Sequence, residues 1–277
     1  MNYVELNIPV ADEAQAEILV AELSELPFES FASERRSLKA YIPQHELAEC
    51  MEETEELLAR AGVAGHRYVQ IESQNWNALW ESSFEEVHID GRAVIRAPFH
   101  APHPEYGELD IVIMPRMSFG TGHHATTALM TGYLLDGGYE GLRVLDMGCG
   151  TGVLAIVAAK RGAASVDAVD IDGTACENCR ENCAANGVAD CINVIEGDVR
   201  SVAARRYDVI AANINRNILL RDMEAYASML GAGGRLFVSG FLEEDTESIS
   251  ACARSVGFAP AGVRTRDGWV AAAFTKE

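Results

Sequence analysis

The strongest constraint on the fold is a glycine-rich turn in the segment VLDMGCGTG, at residues 144–152. An apolar run ends there in Asp146, and Gly148, Gly150 and Gly152 follow at alternate positions before an apolar helical stretch. Glycine allows the backbone to approach a ligand closely, and the N-terminus of a helix offers unpaired N–H groups to an anion. The segment therefore predicts a strand, a ligand-binding turn and a helix.

Apolar runs and helical segments alternate from residue 141 onward. Such alternation is typical of a mostly parallel sheet with helices on both faces. The last two runs are separated only by Asp267 and Gly268, a turn signal that predicts an antiparallel pair at one edge. We therefore expect an α/β, Rossmann-like fold with a mostly parallel seven-stranded sheet. The predicted strands are residues 143–146, 165–170, 192–196, 207–213, 234–240, 261–266 and 269–274.

The first 71 residues predict a separate, smaller α/β domain. Their apolar patterns follow the order βαββαβ, which is the ferredoxin-like arrangement. This arrangement serves many functions and names none by itself. Residues 72–90 contain Trp76 and Trp80 at helical spacing and predict a helical linker, in which two tryptophans are more typical of packing than of a ligand platform. The predicted second domain spans residues 91–277.

Two kinds of ligand are compatible with the glycine turn. The dinucleotide fingerprint Gly-x-Gly-x-x-Gly also follows a first strand. Here Val153 occupies the position of the third glycine, and Asp146 would repel a pyrophosphate. S-adenosylmethionine fits better, because its carboxylate would lie at the turn of Gly148 and Gly150 while Asp146 meets its amino group directly or through water. The pattern favours S-adenosylmethionine over a dinucleotide.

Polar residues also end the next three strands of the predicted sheet. Asp170 ends the second strand, where an acid can accept both ribose hydroxyls, and Asp172 is expected to cap the following helix. Asp198 lies where the adenine edge would sit, although a loop acid or helix cap explains it equally well. Asn213 ends the fourth strand, where its amide and the following carbonyls can orient an amine for nitrogen methylation. The alternative for Asn213 is a strand-end turn residue.

The segment FGTGHHATT, at residues 119–127, precedes the first strand of this sheet. A loop of this composition can fold over a bound small molecule, and Thr126 or Thr127 can donate a hydroxyl to a carboxylate. His123 and His124 resemble metal ligands, but no acid or cysteine lies at ligand spacing, so we predict no metal site. The expected cofactor contacts of the loop are Phe119, Gly120, Thr121 and Thr127.

The charge balance limits the partners. The chain has 42 acidic residues against 22 Lys and Arg, a net charge of −20, and such a surface repels phosphate backbones and favours a basic partner over nucleic acid. Cys176, Cys179 and Cys183 form a helical stripe that is more typical of apolar packing than of a metal cluster, and the thiols are expected to be reduced. No signal sequence and no apolar run of ~20 residues is present, so we expect no membrane partner and a cytoplasmic location.

The residues resemble a known family at several motifs together. The FGTGHHATT loop ahead of VLDMGCGTGVLAI, AVDID and ANINRNIL, behind a small α/β domain, is similar to the PrmA family of bacterial methyltransferases. The resemblance covers essentially the whole chain and is strongest between residues 119 and 220. It implies a class I methyltransferase domain that uses S-adenosylmethionine. It also implies cofactor contacts through Thr127, Gly148, Asp170 and Asn213.

The same resemblance implies a substrate, which is ribosomal protein eleven of the large subunit, free or pre-assembled. The amino-terminal domain is expected to grip that protein, and its terminal α-amine and lysine ε-amines are expected to be methylated. The chain departs from the family pattern at residues 114–117, which read Met-Pro-Arg-Met where Asp-Pro-Gly is usual, and at residues 214–216, Ile-Asn-Arg, where small or apolar residues are commoner.

Three other functions are compatible with parts of the sequence. A methyltransferase of nucleic-acid adenine would need a Pro-Pro-aromatic run after Asn213 and a basic surface, and both are missing from the sequence. A small-molecule methyltransferase leaves the amino-terminal domain without a role, and a non-catalytic module would lack the acids and glycines of the site. We expect a monomeric protein N-methyltransferase with Asn213 as its catalytic residue, and methylation of another basic protein is the nearest alternative.

Overall fold

The structure is a computed structural model that describes residues 3–34, 36–71, 84–116 and 118–277. It divides into two compact units, Met1–Ser83 and Phe84–Glu277. Among the described residues, none of the helices combines the length and the apolar character that crossing a bilayer requires.

The first unit has the predicted βαββαβ order. Its four strands form an antiparallel sheet in the order β2-β3-β1-β4, which is the ferredoxin-like arrangement. Val4, Leu6 and Ile8 alternate into the core, as expected for a sheet covered on one face. The elements are β1 (Tyr3–Pro9), α1 (Glu13–Leu23), β2 (Ser30–Glu34), β3 (Ser37–Pro43), α2 (Gln44–Arg60) and β4 (Arg67–Ile71).

A three-stranded sheet opens the second unit. It consists of β5 (Val87–Ile89), β6 (Ala93–Arg96) and β7 (Asp110–Val112). The linker prediction for residues 72–90 is therefore corrected at its end, because Val87–Ile89 is a strand that pairs with β6. The helical spacing of Trp76 and Trp80 lies outside the described residues.

The main sheet of the second unit confirms the predicted seven strands. Their order is β10-β9-β8-β11-β12-β14-β13, and β14 runs antiparallel to both of its neighbours while the other described pairs are parallel. The strands are β8 (Arg143–Met147), β9 (Ser165–Asp170), β10 (Ile192–Glu196), β11 (Tyr207–Asn213), β12 (Leu230–Leu242), β13 (Phe258–Arg266) and β14 (Trp269–Lys276). The helices are α3 (Ala125–Asp136), α4 (Val153–Lys160), α5 (Gly173–Ala185), α6 (Arg216–Met229) and α7 (Thr246–Ser255).

Helices cover both faces of this sheet because neighbouring strand residues point in opposite directions. Val144 packs in the cluster formed with α3, α4 and α5, whereas Leu145 packs in the cluster formed with α6 and α7. Cys176, Cys179 and Cys183 are fully buried on α5, which confirms their predicted packing role. The strand order reverses between β8 and β11, and open α/β sheets form their ligand crevice at this point.

Candidate functional site

The glycine turn after β8 is held against the end of β9. The backbone amides of Gly148 and Cys149 both donate to the carbonyl of Val169, at 2.8 and 3.0 Å. Gly148 and Gly150 have φ values of 74° and 51°, which favour glycine. A Cβ atom on Gly148 would overlap the side chain of Ile214, and one on Gly150 would overlap a neighbouring carbonyl oxygen. The turn therefore depends on glycine for its backbone angles and for its close contacts.

Asp146 lies beneath this turn and fixes the start of α4. The N-cap residue Gly152 has no side chain, and the carboxylate of Asp146 takes its place by accepting the backbone amide of Ala155 at 3.0 Å. Asp146 is 1% exposed, and its Oδ1 has no hydrogen-bond partner among the described residues. Burial, reinforced by the charge of Asp170, raises the pKa of Asp146 to about 7.

A cavity of about 520 Å³ lies at the carboxyl ends of β8, β9, β10 and β11. This is the position at which doubly wound sheets bind ligands. Six of the ten residues predicted from the sequence line it, namely Phe119, Gly148, Gly150, Asp170, Asp198 and Asn213. The other four, Asp146, Gly120, Thr121 and Thr127, do not line the cavity in the described part of the chain. The cofactor contacts of all ten residues stay predictions.

Asp170 is oriented by two backbone amides. Its Oδ2 accepts from Gly150 at 2.9 Å, and its Oδ1 accepts from Asp172 at 3.0 Å. Each carboxylate oxygen can accept a further hydrogen bond, so two hydroxyls on neighbouring carbons can still bind. Asp172 accepts the backbone amide of Thr174 and caps α5, as predicted.

Asp198 lines the cavity and also caps a short helical turn. Its carboxylate accepts the backbone amide of Arg200 at 3.0 Å and forms an ion pair with the guanidinium of the same residue. The hydrogen bonds from the Arg200 side chain hold the pKa of Asp198 below its usual range. The capping role and the cavity position, which the sequence presents as alternatives, thus occur together.

Asn213 ends β11 at the edge of the cavity. Its Oδ1 is buried and has no hydrogen-bond partner among the described residues. Burying such an acceptor without a partner costs about 1–3 kcal/mol, so this atom is suited to a ligand that donates a hydrogen bond. The next residue donates its amide to Ser239 at 3.1 Å, and Asn215 caps α6 by accepting from Ile218 at 3.2 Å. The backbone of the two residues that follow Asn213 is therefore held in place by hydrogen bonds.

The loop at residues 119–127 is hydrogen-bonded to the glycine turn through Thr151. The backbone amide of Thr151 donates to the carbonyl of Phe119 at 2.9 Å, and its hydroxyl donates to the carbonyl of Gly120 at 2.7 Å. Phe119 lines the cavity with a side chain that is 53% exposed. Thr127, in the first turn of α3, is fully buried, and its hydroxyl has no partner among the described residues.

Several cavity residues could not be found by sequence reasoning. Ile171 follows Asp170, is 74% exposed and lines the cavity with Val199, which together offer an apolar surface for a flat ring. Arg221 and Asp222 form an ion pair on α6 at 2.6 Å and also line the cavity. They follow the ANINRNIL motif on the same helix but belong to no motif themselves, and the packing of α6 on the sheet brings them to the site.

The residues of the cavity fit S-adenosylmethionine. Gly148 and Gly150 bring backbone without side chains to the cavity wall, Asp170 suits a ribose, and Asn213 offers a buried acceptor without a partner among the described residues. No group of three or more His, Cys, Asp or Glu side chains in the described ranges could hold a metal ion.

Comparison with known proteins agrees with this geometry. The model of a family described as ribosomal protein L11 methyltransferase (PrmA) matches residues 7–277. A ribosomal protein L11 methyltransferase of Porphyromonas gingivalis is 45% identical over 269 residues, which cover 96% of this chain and 92% of that protein. One of Bacteroides fragilis is 41% identical over 268 residues, which cover 95% and 94% of the two chains.

A solved structure supports the fold in the same way. The crystal structure of a ribosomal protein L11 methylase from Lactobacillus delbrueckii subsp. bulgaricus matches with a TM-score of 0.65 and 26% sequence identity. The match covers 70% of this chain and all of that chain. It confirms the predicted α/β fold with a mostly parallel sheet of the class I methyltransferase type.

Proposed function

Because the chain belongs to the ribosomal protein L11 methyltransferase (PrmA) family and is thus an S-adenosylmethionine-dependent methyltransferase, we propose that it methylates amines of ribosomal protein L11. The proposed amines are the terminal α-amine and lysine ε-amines. The observation that carries the choice of an amine is the buried Oδ1 of Asn213, which has no partner among the described residues and ends a strand at the cavity. The reaction is proposed to occur in the cytoplasm, where ribosomal proteins are made.

The proposed roles of the residues follow from their contacts. S-adenosylmethionine supplies an electrophilic methyl group on a sulfonium when it is bound. Asp170 would hold the ribose hydroxyls, and the turn of Gly148 and Gly150 would approach the methionine part. Asn213 would accept an N–H of the substrate amine and so direct its lone pair toward the methyl group. Alignment of this kind supplies much of the rate of a displacement reaction.

The amine must be neutral when it attacks. A free lysine has a pKa near ~10.4 and an α-amine near ~8, so both are mostly protonated at neutral pH. The neutral amide of Asn213 accepts a hydrogen bond without adding a negative charge, whereas a carboxylate there would favour the protonated amine. We propose that the proton leaves to water before attack.

Charge supports a basic substrate. Residues 1–71 hold 14 acidic and 5 basic residues, which is a denser negative charge than in the rest of the chain. Helix α2 exposes Glu49, Glu52, Glu53 and Glu56. We propose that this acidic first unit attracts L11, because opposite charges raise the rate of association.

A methyl-transfer assay tests the proposal. The purified enzyme is incubated with S-adenosylmethionine carrying a labelled methyl group and, separately, with L11, total ribosomal RNA or a small-molecule extract. We expect the label in L11, with peptide mass spectrometry placing it on amines. We also expect Asn213→Ala to abolish the labelling while Asn217→Ala, on the exposed face of α6, leaves it unchanged. Labelling of RNA or of small molecules in place of L11 contradicts the proposal.

A further inference from the structure

His124, in the loop that precedes α3, caps that helix with its imidazole. Its Nδ1 accepts the backbone amide of Thr126 at 3.3 Å and lies 2.8 Å from the hydroxyl oxygen of the same residue. Asn, Asp and Ser are the usual residues at this position, and a histidine there supplies an aromatic ring in addition to the cap.

That ring contacts two other aromatic side chains. The ring centroids of His124 and Phe119 are 5.2 Å apart, and those of His124 and Trp269 are 4.7 Å apart at an angle of 68°. These separations are within the range of favourable aromatic pairs. Trp269 begins β14 in the main sheet, so the ring of His124 connects Phe119 to a fixed element of the fold.

Phe119 is the member of this group that lines the cavity. Its backbone carbonyl is held by Thr151, but its half-exposed side chain needs a lateral contact to keep its ring against the site. His124 provides such a contact from outside the cavity, because it does not itself line the cavity within the described ranges. The neighbouring His123 makes a different contact, with Phe84 at 4.7 Å between ring centroids.

From this geometry we infer that His124 is a positioning residue, which holds the Phe119 ring over the bound cofactor through its own ring and sets the cofactor affinity without touching the cofactor. This inference rests on the proposed cofactor site. The capping role and the ring role of His124 are chemically separable. Asparagine keeps a cap acceptor and removes the ring, whereas phenylalanine keeps a ring and removes the acceptor.

Two substitutions therefore distinguish positioning from a purely structural role. We expect His124→Asn, which keeps the cap, to lower the melting temperature less than His124→Phe does but to raise the Kd of S-adenosylhomocysteine about two- to tenfold, on the scale of an aromatic pair. We expect His124→Phe to melt lower but to bind with a Kd nearer the wild-type value. The KM for S-adenosylmethionine should rise in His124→Asn while kcat at saturation changes little.

Controls keep the outcomes distinct. His123→Asn, in the same loop, removes a ring that contacts Phe84 and should raise the Kd less than His124→Asn does. The double variant Phe119→Leu/His124→Asn should bind no more weakly than Phe119→Leu alone, since both changes remove one interaction. If the Kd rises in proportion to the fall in melting temperature across these variants, the inference is overturned. Failure of the wild-type protein to bind S-adenosylhomocysteine would instead refute the proposed cofactor site.

Discussion

The backbone amide of Gly150 donates to the carboxylate of Asp170 at 2.9 Å, and this bond joins the glycine turn after β8 to the end of β9. The two residues are 20 positions apart and belong to the two motifs that are most informative in the sequence. The carboxylate of Asp170 thus orients the glycine turn, which would approach the methionine part of the cofactor. Its remaining acceptor positions face the proposed ribose site. The two motifs act as one structural unit.

Asp170→Asn should weaken cofactor binding strongly. An amide has one acceptor oxygen, so it can accept from Gly150 or from Asp172 but its NH₂ group faces the other donor. A hydrogen bond to a charged group contributes about 1.5–3 kcal/mol, and we expect the Kd of S-adenosylhomocysteine to rise about 10- to 100-fold by titration calorimetry. Asp190→Asn, at an exposed acid, is the control and should bind normally. Equal Kd values for the two variants would contradict the role of Asp170.

Gly150→Ala should damage the site more than its backbone strain alone explains. Gly150 and Gly141 both have positive φ, 51° and 76°, so alanine costs about 1–2 kcal/mol at either position. A Cβ at Gly141 meets nothing within 4 Å, whereas one at Gly150 overlaps the carbonyl oxygen of Phe119. We expect urea denaturation to show a larger loss of the free energy of unfolding for Gly150→Ala than for Gly141→Ala. The Kd of S-adenosylhomocysteine should rise more than tenfold in Gly150→Ala and should not change in Gly141→Ala. Similar losses of stability and affinity in both variants would show that the close contact between Gly150 and the Phe119 carbonyl does not matter.

The sequence predicted the parallel sheet and the glycine turn because both depend on local patterns. The periodicity of apolar residues predicts strands and helices directly, and glycines at alternate positions predict a turn whose residues have positive φ. Ile171 and Arg221 could not be predicted as cavity residues, since an exposed isoleucine and a helical arginine have no local signature of ligand contact. Asp146 was predicted as a ligand contact, but its sequence position could not reveal that its carboxylate caps α4.

Charge reversal on α2 should weaken the binding of the protein substrate and should not affect the binding of the cofactor. The variant Glu52→Lys/Glu56→Lys changes two exposed acids of the first unit. We expect its KM for L11 to rise several-fold at low salt, because steering by opposite charge is lost, and the difference from wild type to shrink at high salt. The KM for S-adenosylmethionine should not change. Glu243→Lys/Glu244→Lys makes the same charge change on the second unit, and an equal effect there would point to net charge in place of a docking surface.

The stability of the protein should depend on pH through Asp146 in an unusual direction. Its pKa is about 7 in the folded state, above the usual value of an aspartate, because the carboxylate is buried. Between about pH 4 and pH 7 the unfolded chain has lost this proton while the folded protein keeps it, so the free energy of unfolding falls as pH rises. The loss is on the order of 4 kcal/mol and is complete above pH 7. Asp146→Asn still accepts the amide of Ala155 and should lack this decline.

Asp167, on the neighbouring strand β9, provides the opposite case. Burial alone would raise its pKa, but hydrogen bonds from Tyr207, Arg205 and Asn193 hold the pKa below its usual range. Its contribution to stability is therefore present above the unfolded pKa and is lost as pH falls through the folded one. Asp167→Asn should lose stability relative to wild type as pH rises toward about 4 and should run parallel to wild type above about pH 5. Urea denaturation from pH 4 to pH 8 should show Asp146→Asn gaining stability relative to wild type as pH rises. Parallel curves for wild type and Asp146→Asn would mean that Asp146 is ionised in the folded protein throughout this range.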